Sequence, residues 1–496
     1  MTSYLGIDLG TTYSAIATID DTGRPKMLLN NGRSITPSCV MIENDQLVVG
    51  DRPEKMLGWE GAEVGARFKR NMGEDTKIKL GTREFTPSEL SAAVLATLKK
   101  AAEASVGEIA EAVVTIPANF MQEAREATML AAQKAGLKIK YIINEPTAAA
   151  LYYGFKEGEN LNGNCIVYDL GGGTFDVSVV RISGQEIEVI ATEGVSKLGG
   201  DDFDRALIQL VKAKYEAVSG RELADEEIPL SKAVKLKHDL SQKELVRYMA
   251  DDELIEVTRA EFEEAISSLI SQTELLCETV LEEADITVSE VNKVLLAGGS
   301  TRMPCVSSSI ERVFGQKPIA TANVDEVVAL GAALYAAVKS DGTHLSAAQS
   351  NSVQKLKVSE ISTYYFGTIA YSYNSARDTQ ELQNSVIIHK GEKLPCSRTK
   401  SFFTMAEGQT GLDCKVTKSG SPETDPRFVS IVWQGDLELP TGRPSNQQVD
   451  ITYAFDENGM MKCSFVDVES GRLNEIDLDQ VSASPRTSEI DKFLVD

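Results

Sequence analysis

Gly6-Ile7-Asp8-Leu9-Gly10-Thr11-Thr12 and Tyr168-Asp169-Leu170-Gly171-Gly172-Gly173-Thr174-Phe175-Asp176 are two copies of one device. An internal repeat governs the reading of everything around it. In each copy an apolar run ends in aspartate, glycine and hydroxyl residues follow, and the chain returns into a second β-rich run. The pattern predicts a hairpin with a tip of small residues. Glycine lets backbone N–H groups close on phosphate oxygens, and threonine adds a donor without bulk. Two such tips would grip a triphosphate between them. Asp8 and Asp169 would then oppose each other as hard oxygen ligands, suited to Mg2+ held through water. A lone Asp-x-Gly also marks ordinary turns; its repetition in strand context is what points to a nucleotide.

Further along, Val294-Leu295-Leu296-Ala297-Gly298-Gly299-Ser300-Thr301-Arg302 reads as a buried strand running through a Gly-Gly turn into a helix. Such a turn can lay its backbone against a ribose and adenine, with Arg302 stacking on the base. Taken alone, it reads more readily as a plain strand-to-helix turn. No G-x-x-x-x-G-K-[ST] and no G-x-G-x-x-G occurs, so the P-loop and Rossmann routes to a nucleotide lack their residues.

The chain has 496 residues, 42% hydrophobic and 25% charged, a composition of globular proteins and a length for two or more cores. A formal charge of -24 repels phosphate backbones, so no nucleic-acid partner is expected. No apolar run reaches membrane-spanning length, and Tyr4-Leu5-Gly6-Ile7 enters a strand without a signal core, which predicts a cytoplasmic protein without a membrane partner. The seven cysteines include no C-x-x-C pair and read as buried thiols. His238, His344 and His389 lie too far apart in sequence to suggest zinc.

Residues 1–340 alternate short apolar runs with helical patterns, the grammar of an α/β domain. Val113 to Ile116 predicts a strand, Gln122 to Ala135 a helix closed by Gly136, and Ala260 to Ala284 a helix with one apolar stripe. Ser340 to Ser352 is rich in small and polar residues, and residues 341–360 are read as a linker. Residues 361–485 carry short alternating runs such as Val386 to Ile388, Phe428 to Val432, Val449 to Tyr453 and Met461 to Phe465. They predict an antiparallel β-domain, with Asn458-Gly459 suited to a tight hairpin. Residues 486–496 are left as a short tail, with Thr487 to Val495 able to begin a helix.

The paired hairpins and the Gly298-Gly299 turn resemble the actin-like ATPase superfamily and, within it, the heat-shock protein 70 family of chaperones. The likeness runs through Ala66-Arg67-Phe68-Lys69-Arg70, Thr115 to Phe120, Ile142 to Ala150, Leu198 to Asp204 and Gly298 to Pro304. It implies an actin-like, ribonuclease H-like duplicated ATPase domain followed by an antiparallel β-sandwich that binds substrate or partner. It also implies ATP/ADP with Mg2+, and K+ as a further candidate ion.

By the same resemblance Lys69 is the catalytic lysine, and Glu145, Asp176 and Thr174 position water, metal and the terminal phosphate. Gly10, Thr11, Thr12, Tyr13, Gly171, Gly172, Gly173, Gly199 and Gly200 form the phosphate cradle. Lys237, Ser241, Gly298, Gly299, Ser300, Arg302 and Asp325 hold the nucleoside, although Val234 and His238 depart from the family there. Pro117 and Arg125 match a nucleotide-sensing switch; Pro117 also serves simply to end a strand. ATP hydrolysis is expected to be slow and stimulated by partners.

Three departures shape the functional expectation. The linker stretch Leu356-Lys357-Val358-Ser359-Glu360 replaces a leucine-rich one, which predicts weaker or different docking on the ATPase domain. Tyr141 stands where the family offers arginine to a J-domain protein, so that partner is left out of the expected set. The residues after the β-domain are too few for the family's helical lid, and Gln383 and Asn384 lie near where a peptide-pinning arch is apolar. The expectation is an ATP-dependent chaperone with a lidless β-domain binding unfolded peptide or a dedicated client, served by a nucleotide-exchange factor. The alternative is an actin-like ATPase acting as a regulatory or assembly factor for one folded partner. A small-molecule kinase of the same superfamily is a more distant third.

Overall fold

A computed structural model describes residues 3–319, 323–374 and 379–477. The chain divides into two compact units, one running through Val358 and the other starting at Ser359.

In the first unit, Ser3–Asp8 is the central strand of a sheet. It pairs antiparallel with Tyr13–Ile19 and parallel with Ile109–Ile116, which pairs parallel with Ile139–Asn144. Gly163–Leu170 repeats the scheme, antiparallel to Phe175–Ser183 and parallel to Val291–Ala297, with Glu186–Val195 beyond Phe175–Ser183. Strands covered on both faces read as unbroken apolar runs, which is why Cys165-Ile166-Val167-Tyr168 and Val294-Leu295-Leu296 lack alternation. Each sheet has its own core. Leu5, Ile7, Val114 and Leu95 lie in the first, and Ile166, Val179, Phe203 and Val294 in the second. This is the duplicated actin-like architecture.

Val327–Lys339 is a helix buried over most of its length, in keeping with a sequence nearly free of polar side chains. It lies against the first sheet and against helix Glu145–Glu157 at backbone contact. A Cβ added to Gly6 would sit 2.0 Å from the Ala333 nitrogen, and one added to Gly331 would sit 1.7 Å from the Ala148 carbonyl oxygen. Both glycines are required by close approach rather than by backbone conformation.

Local chemistry departs from the sequence expectation at three places. The stripe from Ala260 to Ala284 belongs to two helices, Arg259–Ala265 and Ser267–Glu283, broken at the fully buried Ile266. Thr258 and Glu261 form a capping box at the start of the first. Asn458-Gly459 lies in a longer turn, because the Asp456 carboxylate accepts from the N–H groups of Asn458 and Met460 and holds the loop open. Within residues 341–360, Ala347–Val353 is a short helix capped by Ser346 and Gln349, and the Gln349 amide donates to the carbonyls of Ile19 and Asp20. Leu356 is buried in the first unit, the Lys357 N–H donates to the Gln185 carbonyl at 3.1 Å, and the Lys357 ammonium pairs with Glu186 at 2.5 Å. A lysine where an apolar residue was expected thus finds a charge partner instead of losing its contact.

The second unit is an antiparallel sandwich. One sheet runs in the order Thr379–Ile388, Tyr365–Asn374, Gly411–Ser419, Ser430–Glu438; the other runs Cys396–Phe403, Gln448–Phe455, Met461–Asp467, Leu473–Asp477. Ile388, Val416, Tyr453 and Phe465 fill the space between them, Trp433 stacks on Phe465, and the Tyr453 hydroxyl donates to the Gly367 carbonyl at 2.8 Å. The tail, 486–496, lies outside the described residues. Among the described residues no helix is long and apolar enough to cross a membrane.

The helix contact yields a prediction. Gly331→Ala places its methyl against backbone that cannot swing aside, and we expect it to cost about 3 kcal/mol or more. Urea unfolding followed by far-UV circular dichroism measures this, and a loss under about 1 kcal/mol would show that the helices separate freely.

Candidate nucleotide-binding site

The two hairpins end at the same cavity. It has a volume of about 700 Å³ and is lined from the first half by Asp8, Gly10, Thr11, Thr12 and Tyr13, and from the second by Asp169, Gly171, Gly172 and Thr174. In the second hairpin Asp169 pairs across the ladder with Asp176, which sets both carboxylates beside the turn. The loops pack so closely that side chains are excluded. A Cβ on Gly172 would lie 1.6 Å from the Thr12 hydroxyl, and one on Gly199 would lie 2.8 Å from the Gly172 backbone. Gly173 is pressed against Thr11 and Arg70. Gly173, Gly199 and Asp176 therefore support the cavity from behind, whereas Gly200 reaches its wall.

Glu145 and Lys69 come from separate elements of the first half. Glu145 opens helix Glu145–Glu157 directly after the strand ending at Asn144, with Pro146 at the position where proline suits a helix start. Lys69 sits in a single 3-10 turn, Phe68–Asn71. Both are buried, and the lysine ammonium lies 2.5 Å from Glu145 Oε1. Around this pair the charge is unbalanced. Burial and the neighbouring Glu145 push the Asp8 carboxyl up to about 7, against the opposing pull of Lys69 and a hydrogen bond from Thr115. Burial, then Glu145, Asp176 and Asp8, hold the Asp169 carboxyl well above the usual carboxylate range. Burial and Glu145 do the same to Asp176. Such a chamber favours a cation. The Thr12 hydroxyl, on the cavity wall, is buried without a hydrogen-bond partner, so donor capacity is also left for a ligand. The donor set, carboxylates with hydroxyls and no thiolate or imidazole beside them, fits hydrated Mg2+.

At the other end of the cavity Gly298, Gly299, Ser300, Arg302, Asp325, Lys237 and Ser241 line the wall, joined by Val234 and His238. Gly298 has φ +80, and a Cβ there would meet the Leu170 carbonyl at 2.4 Å. The Ser300 hydroxyl donates to the Gly171 carbonyl at 2.8 Å, which ties this turn to the phosphate loop. Arg302 is paired with Asp325 at 2.7 Å. Lys237 is engaged beneath the wall by Asp204 and the Gly200 carbonyl, each at 2.8 Å. Burial, with Lys237 nearby, lowers the His238 imidazole below its ordinary value and leaves it neutral at pH 7. Arg125 donates to the Phe120 and Ala118 carbonyls and to the Asn144 side chain, so it braces the turn after Pro117 next to the start of the Glu145 helix.

Comparison with known protein families matches residues 4–496 to the family described as Hsp70 protein. The chain belongs to the Hsp70 family. Members of the family are ATPases that bind ATP and ADP with Mg2+ and act as chaperones on unfolded polypeptides. Within this Hsp70 chain the sequence reading gave no role to Arg67, Asp201, Asp202 and Asp204, which form buried ion pairs at the edge of the cavity. It also missed Glu54, whose carboxylate accepts from the Tyr13 hydroxyl at 2.5 Å. The available signal was charge density, an arginine on either side of Phe68-Lys69 and three aspartates after Gly199-Gly200. Their partnership across more than a hundred residues was not visible.

Because a Cβ on Gly172 would overlap the Thr12 side chain, Gly172→Ala is expected to separate the two loops and weaken ATP binding by roughly 100-fold, about 2.7 kcal/mol. Isothermal titration with Mg-ATP tests this. Binding within about threefold of wild type would show that the loops tolerate the gap.

Proposed function

We propose that this Hsp70-family protein hydrolyses ATP in the cavity between its two hairpins and couples the nucleotide to the binding of polypeptide by the β-sandwich. The observation that carries the first part is the buried Lys69–Glu145 pair among Asp8, Asp169 and Asp176. The backbone N–H groups near Gly10 to Thr12 and Gly171 to Thr174 would cradle the phosphates, and the Thr12 and Thr174 hydroxyls would meet the terminal one. Asp8 and Asp169 would hold Mg2+ through water, and the ion would supply charge neutralisation for the leaving diphosphate. Lys69 holds the negative charge that shifts in the transition state, while Glu145 holds Lys69. Glu145, on the cavity wall, would accept a hydrogen bond from the attacking water and take up its proton, with Asp176 behind the wall adding negative charge. Placement and electrostatics account for the chemistry without a covalent intermediate.

Lys69→Ala is expected to bind Mg-ATP within a few-fold of wild type and to hydrolyse it about 100-fold or more slowly. Asp8→Asn should instead weaken Mg-dependent binding. Turnover of Lys69→Ala at the wild-type rate would remove the lysine from the mechanism.

For the β-sandwich a second reading has its own support. Asn384, near the position of the family's apolar arch, is buried. Its N–H and side-chain amide donate to the carbonyls of Thr424 and Glu423, and its side-chain oxygen accepts from Thr417 at 2.5 Å. An asparagine committed to its own loop presents less apolar surface to a peptide, which favours a regulatory or assembly role toward one folded partner. The two tryptophans separate the readings. Trp59, exposed and with Lys232 above its ring, reports on the ATPase unit, and Trp433, packed on Phe465, on the sandwich. Under the chaperone reading, ATP changes the emission of a Trp59→Phe variant and unfolded peptide accelerates turnover. Under the alternative, unfolded peptide leaves turnover unchanged.

A further inference from the structure

Lys69 does not stand alone on its turn. Arg67 precedes it by two positions and Arg70 follows it, and their side chains are only 16% and 8% exposed. Arg67 Nε lies 2.7 Å from Asp201 Oδ1. Arg70 donates through both terminal nitrogens to Asp202, at 3.3 and 2.6 Å, and its Nε lies 3.8 Å from Asp201 Oδ2. Asp201 and Asp202 belong to the other half, in the first turn of helix Gly200–Ser219. That helix start is itself fixed to the second phosphate loop. The Asp201 N–H donates to the Gly172 carbonyl at 2.7 Å and the Gly200 N–H to the Gly171 carbonyl at 3.0 Å.

An unbroken run of contacts therefore leads from Gly171 and Gly172 through Asp201 and Asp202 to Arg67 and Arg70, and so to the turn that carries Lys69. Arg67 holds φ 59 and ψ 14, a left-handed conformation rare outside glycine, at the junction where the turn begins. Asp201 is 1% exposed, and a buried carboxylate requires a cation beside it. A lysine is a point charge on a flexible four-carbon stem, so its placement depends on how firmly its backbone is held. The close Arg67–Asp201 ion pair on one side and the two hydrogen bonds from Arg70 to Asp202 on the other supply that hold.

We infer that Arg67 and Asp201, seconded by Arg70 and Asp202, are positioning residues for Lys69. They bind the lysine's turn to the phosphate loop of the opposite half, so that Lys69 reaches the terminal phosphate only while both halves are drawn onto the nucleotide. The inference rests on the reading of Lys69 as the hydrolytic lysine.

The test uses the full chain with Mg-ATP. It compares wild type, Lys69→Ala, Arg67→Ala, Arg67→Lys, Asp201→Asn and the double variant Arg67→Ala with Asp201→Asn. Affinity is read by isothermal titration and chemistry by single-turnover hydrolysis. Arg67→Ala and Asp201→Asn should each slow the single turnover by roughly 10- to 100-fold with affinity within about threefold of wild type. The double variant should be no slower than the slower single one, since both remove the same link. Arg67→Lys, which keeps a cation near Asp201, should recover much of the rate. Single variants within twofold of the wild-type rate, losses that multiply in the double variant, or affinity falling in step with rate would each overturn the inference. Where Arg67→Ala fails to fold, the isosteric Asp201→Asn decides by the same criteria. Lys69→Ala as fast as wild type would instead refute the underlying reading, whereas a slow Lys69→Ala beside normal Arg67 and Asp201 variants would refute this inference alone.

Discussion

Asp8, Asp169, Asp176 and Glu145 share a buried space with one ammonium, that of Lys69. Carboxylates removed from water repel one another strongly, and burial together with this repulsion raises the Asp8, Asp169 and Asp176 carboxyls above their usual range. Folding works against this repulsion. A hydrated divalent cation arriving with its nucleotide relieves it, and any ligand that binds only the folded chain stabilises that chain. The duplicated sheet is the means of assembling the charges, because it brings two strand ends, each terminating in aspartate, to opposite sides of one cavity.

Charge alone would not make a phosphate site, since the same carboxylates repel phosphate. The backbone supplies the compensating dipoles, and it does so only where side chains are missing. Gly172 against Thr12, Gly199 against the Gly172 backbone and Gly298 against the Leu170 carbonyl bring three turns together at distances that exclude a Cβ. The Ser300 hydroxyl and the N–H groups of Gly200 and Asp201 then fasten those turns through the carbonyls of Gly171 and Gly172. The buried carboxylates and the tightly packed glycine turns thus complement the two parts of the ligand proposed for this cavity, a cation and its phosphates.

The hairpins were legible in the sequence because their chemistry is local. Aspartate, glycine and threonine stand within a few positions of one another, and the repetition identifies them. Lys69 and Glu145 are 76 positions apart, and only resemblance to a family joined them before the fold did. The pairs of Arg67 and Arg70 with Asp201 and Asp202 had no such help. Nothing in a run of arginines says which distant aspartates will face them. Two other misreadings have physical causes. The break at Ile266 keeps the apolar stripe in phase on both sides, so periodicity passes over it. At the linker Leu356 is buried and the exposed Lys357 pairs with Glu186, a contact set by a charge that lies 171 positions away and so is not legible locally.

The sandwich poses the same problem in another form, because polar groups lie inside it as well. Asp467 is fully buried. Burial pushes its carboxyl up, but hydrogen bonds from Arg443 and Ser470 to one of its oxygens outweigh that and leave it below the usual range, while its other oxygen, Oδ1, accepts none. Asn384 is satisfied internally, by Thr417 and the carbonyls of Glu423 and Thr424. Asp8 and Asp169 differ, because burial and neighbouring acids raise their carboxyls above the usual range. A buried polar group with its partners in place fixes one arrangement of the chain, and Asn384 does this for the loop around it.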